Sequence, residues 1–81
     1  MTNNEASVVI LEVLEERAAQ DKKWGGTEHD DQHSDHDWIC FILEHAQRGE
    51  LTTDTVFRKQ MIRVAALAVA AVQAVDRRAR Q

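Results

Sequence analysis

The chain contains no proline, and its three glycines stand only at positions 25, 26 and 49. Proline and glycine are the strongest punctuators of local structure, so these 81 residues are interrupted at just two places. Between them, no stretch alternates apolar and polar side chains in the two-residue rhythm of a half-buried strand. The expectation is an all-α chain of three helices in a single helical domain over 1–81. A helix at about 3–24 leads to a loop over 25–34, then a helix at about 35–48 and a last one at about 53–78.

Each boundary has a chemical reason. Thr2 and Glu5 have the spacing of a capping box ahead of an apolar stripe of Ala6, Val9, Ile10, Val13, Leu14 and Ala18. Trp24 extends that stripe before Gly25 and Gly26 end it. Ser34 and Asp37 repeat the capping signature, and the carboxylates of Asp35 and Asp37 suit the positive end of a helix dipole. The second helix shows Trp38, Phe41, Ile42, His45 and Ala46 on one side and is expected to stop at Gly49 in a left-handed cap. From Thr53 or Asp54 the third carries Phe57, Met61, Val64, Ala68, Val72 and Val75 at helical spacing and closes on Arg77, Arg78 and Arg80.

The third helix predicts association. From Val64 to Val75 it reads VAALAVAAVQAV, apolar nearly all the way round and half alanine, which suits close helix approach on more than one side. Two other helices of one small chain can hardly cover it. An oligomeric helical bundle follows, most simply a two-fold dimer with Val64, Ala65, Ala68, Val72 and Val75 at the interface. A core of this size supplies only about 3 to 5 kcal/mol unless something staples it, and the lone Cys40 cannot form an internal disulfide. A partner subunit or a metal is what remains.

Composition removes several function classes. A net charge of −4 with basic residues gathered at the C-terminal end is a poor footprint for nucleic acid, because a duplex binder needs a basic face to release counterions. The apolar run of the third helix falls well short of the roughly 20 residues that span a bilayer, so no membrane span is expected. One cysteine and no signal-like segment fit a reducing cytoplasm.

The stretch WGGTEHDDQHSDHDW, residues 24–38, holds three of the four histidines and five acidic residues between two tryptophans. His29, Asp31, His33 and His36 are candidate ligands for zinc, manganese, iron or nickel by donor type. Their spacing is less specific than their composition, because His29 and His33 share a face only on a helix and the glycines and the Ser34 cap predict a loop. The favoured expectation is an architectural loop whose Asp and Ser side chains hold turns, with Trp24 and Trp38 packed inward as anchors and a stacking surface for a base as their alternative role. No cofactor is expected, a divalent metal being the alternative. Cys40 has no neighbouring base in sequence and is expected to be a small buried side chain, and His45 a core or interface histidine.

Glu16-Arg17, Gln20, Trp24-Gly25, TEHDD over 27–31 and His33, followed by an Ala-rich helix closing on Asp76-Arg77, resemble a group of small phage and prophage proteins over about residues 12–78. A more distant resemblance is to the MazG-like all-helical nucleotide pyrophosphohydrolases, whose pattern E-R-x-x-Q-x-x-K-W-G is echoed by Glu15 or Glu16, Arg17, Gln20, Lys23, Trp24 and Gly25, with Trp38 beyond. That resemblance implies carboxylate-rich helices that hold magnesium ions, which bridge substrate phosphates and activate water. The expected E-E-x-G-E falls on Glu44-His45-Ala46-Gln47-Arg48, where only Glu44 is retained and an arginine takes a carboxylate position. The third helix reads FRKQMIRVAAL, with Arg58, Lys59, Gln60 and Arg63 and no carboxylate until Asp76. A substitute set from Asp30, Asp31 and Glu44 is conceivable, though no spacing demands it.

The sequence therefore favours a non-catalytic phage-type helical binding module, acting on a host protein or a nucleotide-like ligand in the host cytoplasm. Lys23, Trp24, Trp38, Glu44 and Arg48 are the candidate ligand-binding residues. A metal-dependent nucleoside triphosphate pyrophosphohydrolase is the alternative, and a small metal-binding scaffold the second alternative.

Overall fold

Gly25 and Gly26 both take positive φ, 103° and 68°, a region that costs glycine nothing because it has no Cβ. They end the first helix, but they open a new helical turn rather than a loop. The computed structural model describes residues 3–80, and these form four helices and no strand: α1 (Asn3–Trp24), α2 (Gly26–Asp30), α3 (Asp35–Arg48) and α4 (Asp54–Ala79). The protein is all-α. The three-helix expectation is corrected by α2, which occupies the first half of the expected 25–34 loop.

Capping chemistry sets the other boundaries. The Ser34 hydroxyl accepts from the Asp37 N–H at 3.1 Å while the Ser34 N–H donates to Asp37 Oδ2 at 3.0 Å, a complete capping box for α3. Thr53 caps α4, its hydroxyl accepting from the Val56 N–H. The Thr2–Glu5 box cannot be followed, because Thr2 lies outside the described residues. Gly49 departs from expectation. It ends α3 at φ −83°, in the right-handed region, and the positive φ of this connection falls on Leu51 at 53°.

The long C-terminal helix is the centre of the molecule. Ala66, Ala70 and Ala74 recur every four residues and are essentially buried, forming a ridge of small side chains on which neighbouring helices approach closely. α1 and α3 each pack on α4 and make no contact with one another, while α2 bridges α1 and α4. Trp38 of α3 lies against Ala70 and Ala74, with Phe41, Leu67 and Ala71 around it. Val13 is the buried residue of α1.

Ion pairs between distant elements fix this arrangement. Arg58 grips Glu12 with two bonds of 2.7 Å, and Arg78 donates to Asp35 at 3.0 Å. Arg77 Nε donates to Asp31 at 2.8 Å, with its Nη2 equally near but out of line for a hydrogen bond. Exposed pairs are worth only about 0–1 kcal/mol each, so they set register more than stability. Among the described residues no helix is long and apolar enough to cross a membrane.

Candidate functional site

Because α1 and α3 flank α4 without touching, the space between them is an open groove of about 720 Å³. Glu16, Gln20 and Lys23 recur at i, i+4 and i+7, one face of α1, and form its first wall. Trp38, Phe41, Glu44 and Arg48 of α3 form the second. Arg63, Leu67 and Ala70 of α4 are its floor, and α2 closes one end with His29 and Asp30.

The five residues expected to bind a ligand, Lys23, Trp24, Trp38, Glu44 and Arg48, all line this groove. The two tryptophans differ in their surroundings. Trp38 is buried as expected, whereas Trp24 is 56% exposed and is not an inward anchor. His29 of α2 lies near-parallel to the Trp24 ring, 6.0 Å between centroids, and the tryptophan stays more than half exposed beside it. Lys23 Nζ sits 4.7 Å from the same ring centre, a cation–π distance.

A string of rings runs along the α2 end. His33 meets His29, Trp38 and Phe41 edge to face, with centroids 4.6, 5.1 and 4.9 Å away. The Nε2 atoms of His29 and His33 are 3.1 Å apart, the separation of an N–H···N hydrogen bond in which one imidazole donates and the other accepts. Helical turns on either side of Asp31 bring these two histidines together. His45 is held from α4, its Nδ1 2.9 Å from Gln60 Oε1.

The groove's charges are unevenly committed. Arg17 bonds Asp21 at 2.9 Å and lies 3.5 Å from Asp30. Burial pushes the Asp30 carboxyl above its ordinary value, and the Arg17 guanidinium opposes this without overcoming it. Glu44 is paired with Arg48 one turn on. Arg63 and Lys23 make no ion pair among the described residues, so both can meet an anion. Two buried polar atoms of groove residues also lack a hydrogen-bond partner: the acceptor Gln20 Oε1 and the donor Trp38 Nε1.

The alternative metal set, His29, Asp31, His33 and His36, is not gathered among the described residues. His29 and His33 line the groove, but Asp31 is turned to Arg77, and His36 stands on α3 with its Nε2 3.4 Å from Cys40 Sγ. Among the described residues no three His, Cys, Asp or Glu side chains stand together as a ligand group. The magnesium site implied by the MazG-like resemblance does not fit either. Of the substitute carboxylates, Asp30, Asp31 and Glu44, each faces an arginine instead of the others, and a hard dication needs several free oxygen ligands. Cys40, expected to be buried, is exposed beside His36.

Comparison with known protein families, with curated proteins and with solved structures returned no match. Sequence reasoning passed over Arg63, Phe41 and Gln20 as groove residues. Gln20 had a signal in its one-face spacing with Glu16 and Lys23, whereas Arg63 had none, because its role depends on α1 and α3 standing apart.

Proposed function

We propose that the protein is a non-catalytic helical binding module, oligomeric in use, that seats a nucleotide-like ligand in the groove between α1 and α3. The observation that carries this reading is the open groove itself, on which Lys23 and Arg63 make no ion pair among the described residues while the carboxylates Asp30 and Glu44 each face an arginine. The exposed ring of Trp24 offers a stacking surface, and Arg63 and Lys23 offer positive charge to phosphate.

Binding is favoured over turnover because the groove carboxylates Asp30 and Glu44 are already engaged by Arg17 and Arg48. The residues that carry the MazG-like resemblance in α1, Glu16, Arg17, Gln20, Lys23 and Trp24, all line the groove, which agrees with a ligand of the nucleotide class.

Thermal unfolding in the presence of a panel of nucleoside mono-, di- and triphosphates tests this reading. A ligand at one hundred times its dissociation constant adds about 2.7 kcal/mol of stability. The expected result is a shift with one or more nucleotides, a smaller one with the parent nucleoside, and loss of the difference in Arg63→Ala. If millimolar nucleotides leave the transition where it is, the reading is wrong.

A further inference from the structure

The apolar side chains of this protein are distributed against its own core. Among the described residues the buried hydrophobics are Val13, Trp38 and three alanines, while thirteen large apolar side chains are exposed. The chain presents 6011 Å² to solvent, against about 4,900 Å² for a folded monomer of its 9.2 kDa. The surplus, about 1,100 Å², is more than the roughly 800 Å² that each partner buries in a standard interface.

Part of that surplus is continuous. Ile39 and Leu43 of α3 and Val72 and Val75 of α4 are each about half exposed. A shallow cleft of about 290 Å³ runs between the two helices, lined by Ile39, Ile42, Val72 and Val75. On α4 the groove residues Arg63, Leu67 and Ala70 and the cleft residues Val72 and Val75 lie on different sides at a 3.6-residue period. The apolar back face thus looks to a different side of α4 from the ligand groove and meets it at Trp38, which lines both.

We infer that this back face, α3 together with α4, is where a second copy of the chain docks. The inference rests on the oligomeric reading above and supplies its surface, which differs from a contact of α4 alone because α3 contributes Ile39 and Leu43. A second copy fits for three reasons. The surplus area, summed over the whole chain, is enough for one side of a dimer interface. A ridge beside a cleft can be self-complementary about a two-fold axis, each copy's ridge seated in the other's cleft. At the edge of the patch the Arg78–Asp35 pair is neutral in sum, so two identical faces meet without net repulsion.

Sedimentation equilibrium on the full chain at micromolar concentration tests the inference, with three samples compared. Wild type is expected to have the mass of two chains. Val72→Arg, at a position exposed in the single chain, is expected to keep its helical circular dichroism and to weaken association by about a hundredfold or more, because the contact then buries an unpaired charge on both copies. Leu11→Arg, on the exposed surface of α1, is expected to leave the dimer intact. A wild-type monomer overturns the oligomer itself. A dimer that survives Val72→Arg, or one lost in Leu11→Arg instead, overturns the back face while leaving the oligomer standing. Nucleotide binding by the Val72→Arg monomer is read separately and belongs to the groove.

Discussion

Gly49 takes φ −83° while Leu51, two residues on, takes φ 53° with its side chain fully exposed. The connection between α3 and α4 therefore spends its one left-handed residue on a leucine, and keeps its glycine at a right-handed position whose backbone does not require one. A left-handed conformation costs a non-glycine residue about 1–2 kcal/mol, and the exposed Leu51 side chain has no burial to offset it. Leu51→Gly is expected to raise stability by about 0.5–1 kcal/mol, after the extra chain entropy of glycine is subtracted. Gly49→Ala is expected to be close to neutral, since a Cβ there meets Phe57 and the Ala46 carbonyl at 3.4 Å, ordinary contact. Urea unfolding of the two variants decides between this and a left-handed cap at Gly49, for which Gly49→Ala would be the damaging change.

Asp30 gives the protein an unusual sign of pH dependence. Its folded pKa is raised, burial being the first cause, so as pH falls the folded state takes up this proton before the unfolded state does. The contribution is a penalty fully present above the raised pKa, and relieved as pH falls through it toward the ordinary aspartate range. Asp30→Asn removes the penalty, and Arg17 keeps its 2.9 Å partner Asp21. The variant is expected to be more stable than wild type at about pH 8, by up to about 1 kcal/mol, with the difference shrinking toward acid. Glu12 and Asp37, whose carboxyls are held below their ordinary values by Arg58 and Ser34, lose stability in acid in both proteins and cancel in the comparison. A gap that widens on acidification contradicts the assignment.

What the sequence made legible is the local chemistry. Ser34 with Asp37, Thr53, and the glycine pair at 25 and 26 act on their own neighbours within a turn, so spacing alone exposes them. Of the groove residues on α1 and α3, Lys23, Trp24, Trp38, Glu44 and Arg48 were legible through the MazG-like resemblance, while Gln20 and Phe41 were not singled out. Three features were not legible. That α1 and α3 stand apart depends on each packing on α4 instead of on the other, a competition no local pattern records. The meeting of His29 and His33 depends on Gly25 and Gly26 starting α2 instead of a loop. Gly49 misleads because glycine marks a left-handed cap by preference, and here the chain turns two residues later.

The two tryptophans should separate stability from binding. Trp38 is buried against Ala70 and Ala74, and truncating a large buried aromatic costs about 3–5 kcal/mol, comparable to everything a core of this size supplies. Trp38→Ala is expected to lose the cooperative unfolding transition. Trp24, more than half exposed, is expected to tolerate Trp24→Ala at a cost of about 1 kcal/mol or less, and to lose affinity for any nucleotide that stabilises wild type. Circular dichroism and the ligand-induced thermal shift read the two effects independently. A Trp24→Ala protein that binds as well as wild type would remove the ring from the ligand seat.

Pyrophosphate release from the common nucleoside triphosphates, with magnesium or manganese, is expected to be indistinguishable from the protein-free control. Metal-assisted hydrolysis needs carboxylate oxygens free to hold a dication beside the phosphates, where the ion polarises the phosphoryl group and activates water. Of the three carboxylates on the groove, Asp30 faces Arg17, its protonated form is favoured by burial, and Glu44 faces Arg48. Glu16 is then the one left to act alone on a groove wall that also carries Lys23. Cations at those places repel a dication while attracting the nucleotide's phosphates, so the groove is suited to hold such a ligand and return it unchanged. Arg48→Glu supplies the contrast: it removes the cation paired with Glu44 and adds a second carboxylate one turn away. Metal-dependent stabilisation that emerges in that variant and is missing from wild type would agree with this account. Wild-type turnover abolished by Glu44→Gln would show instead that Glu44 is a working ligand and the protein an enzyme.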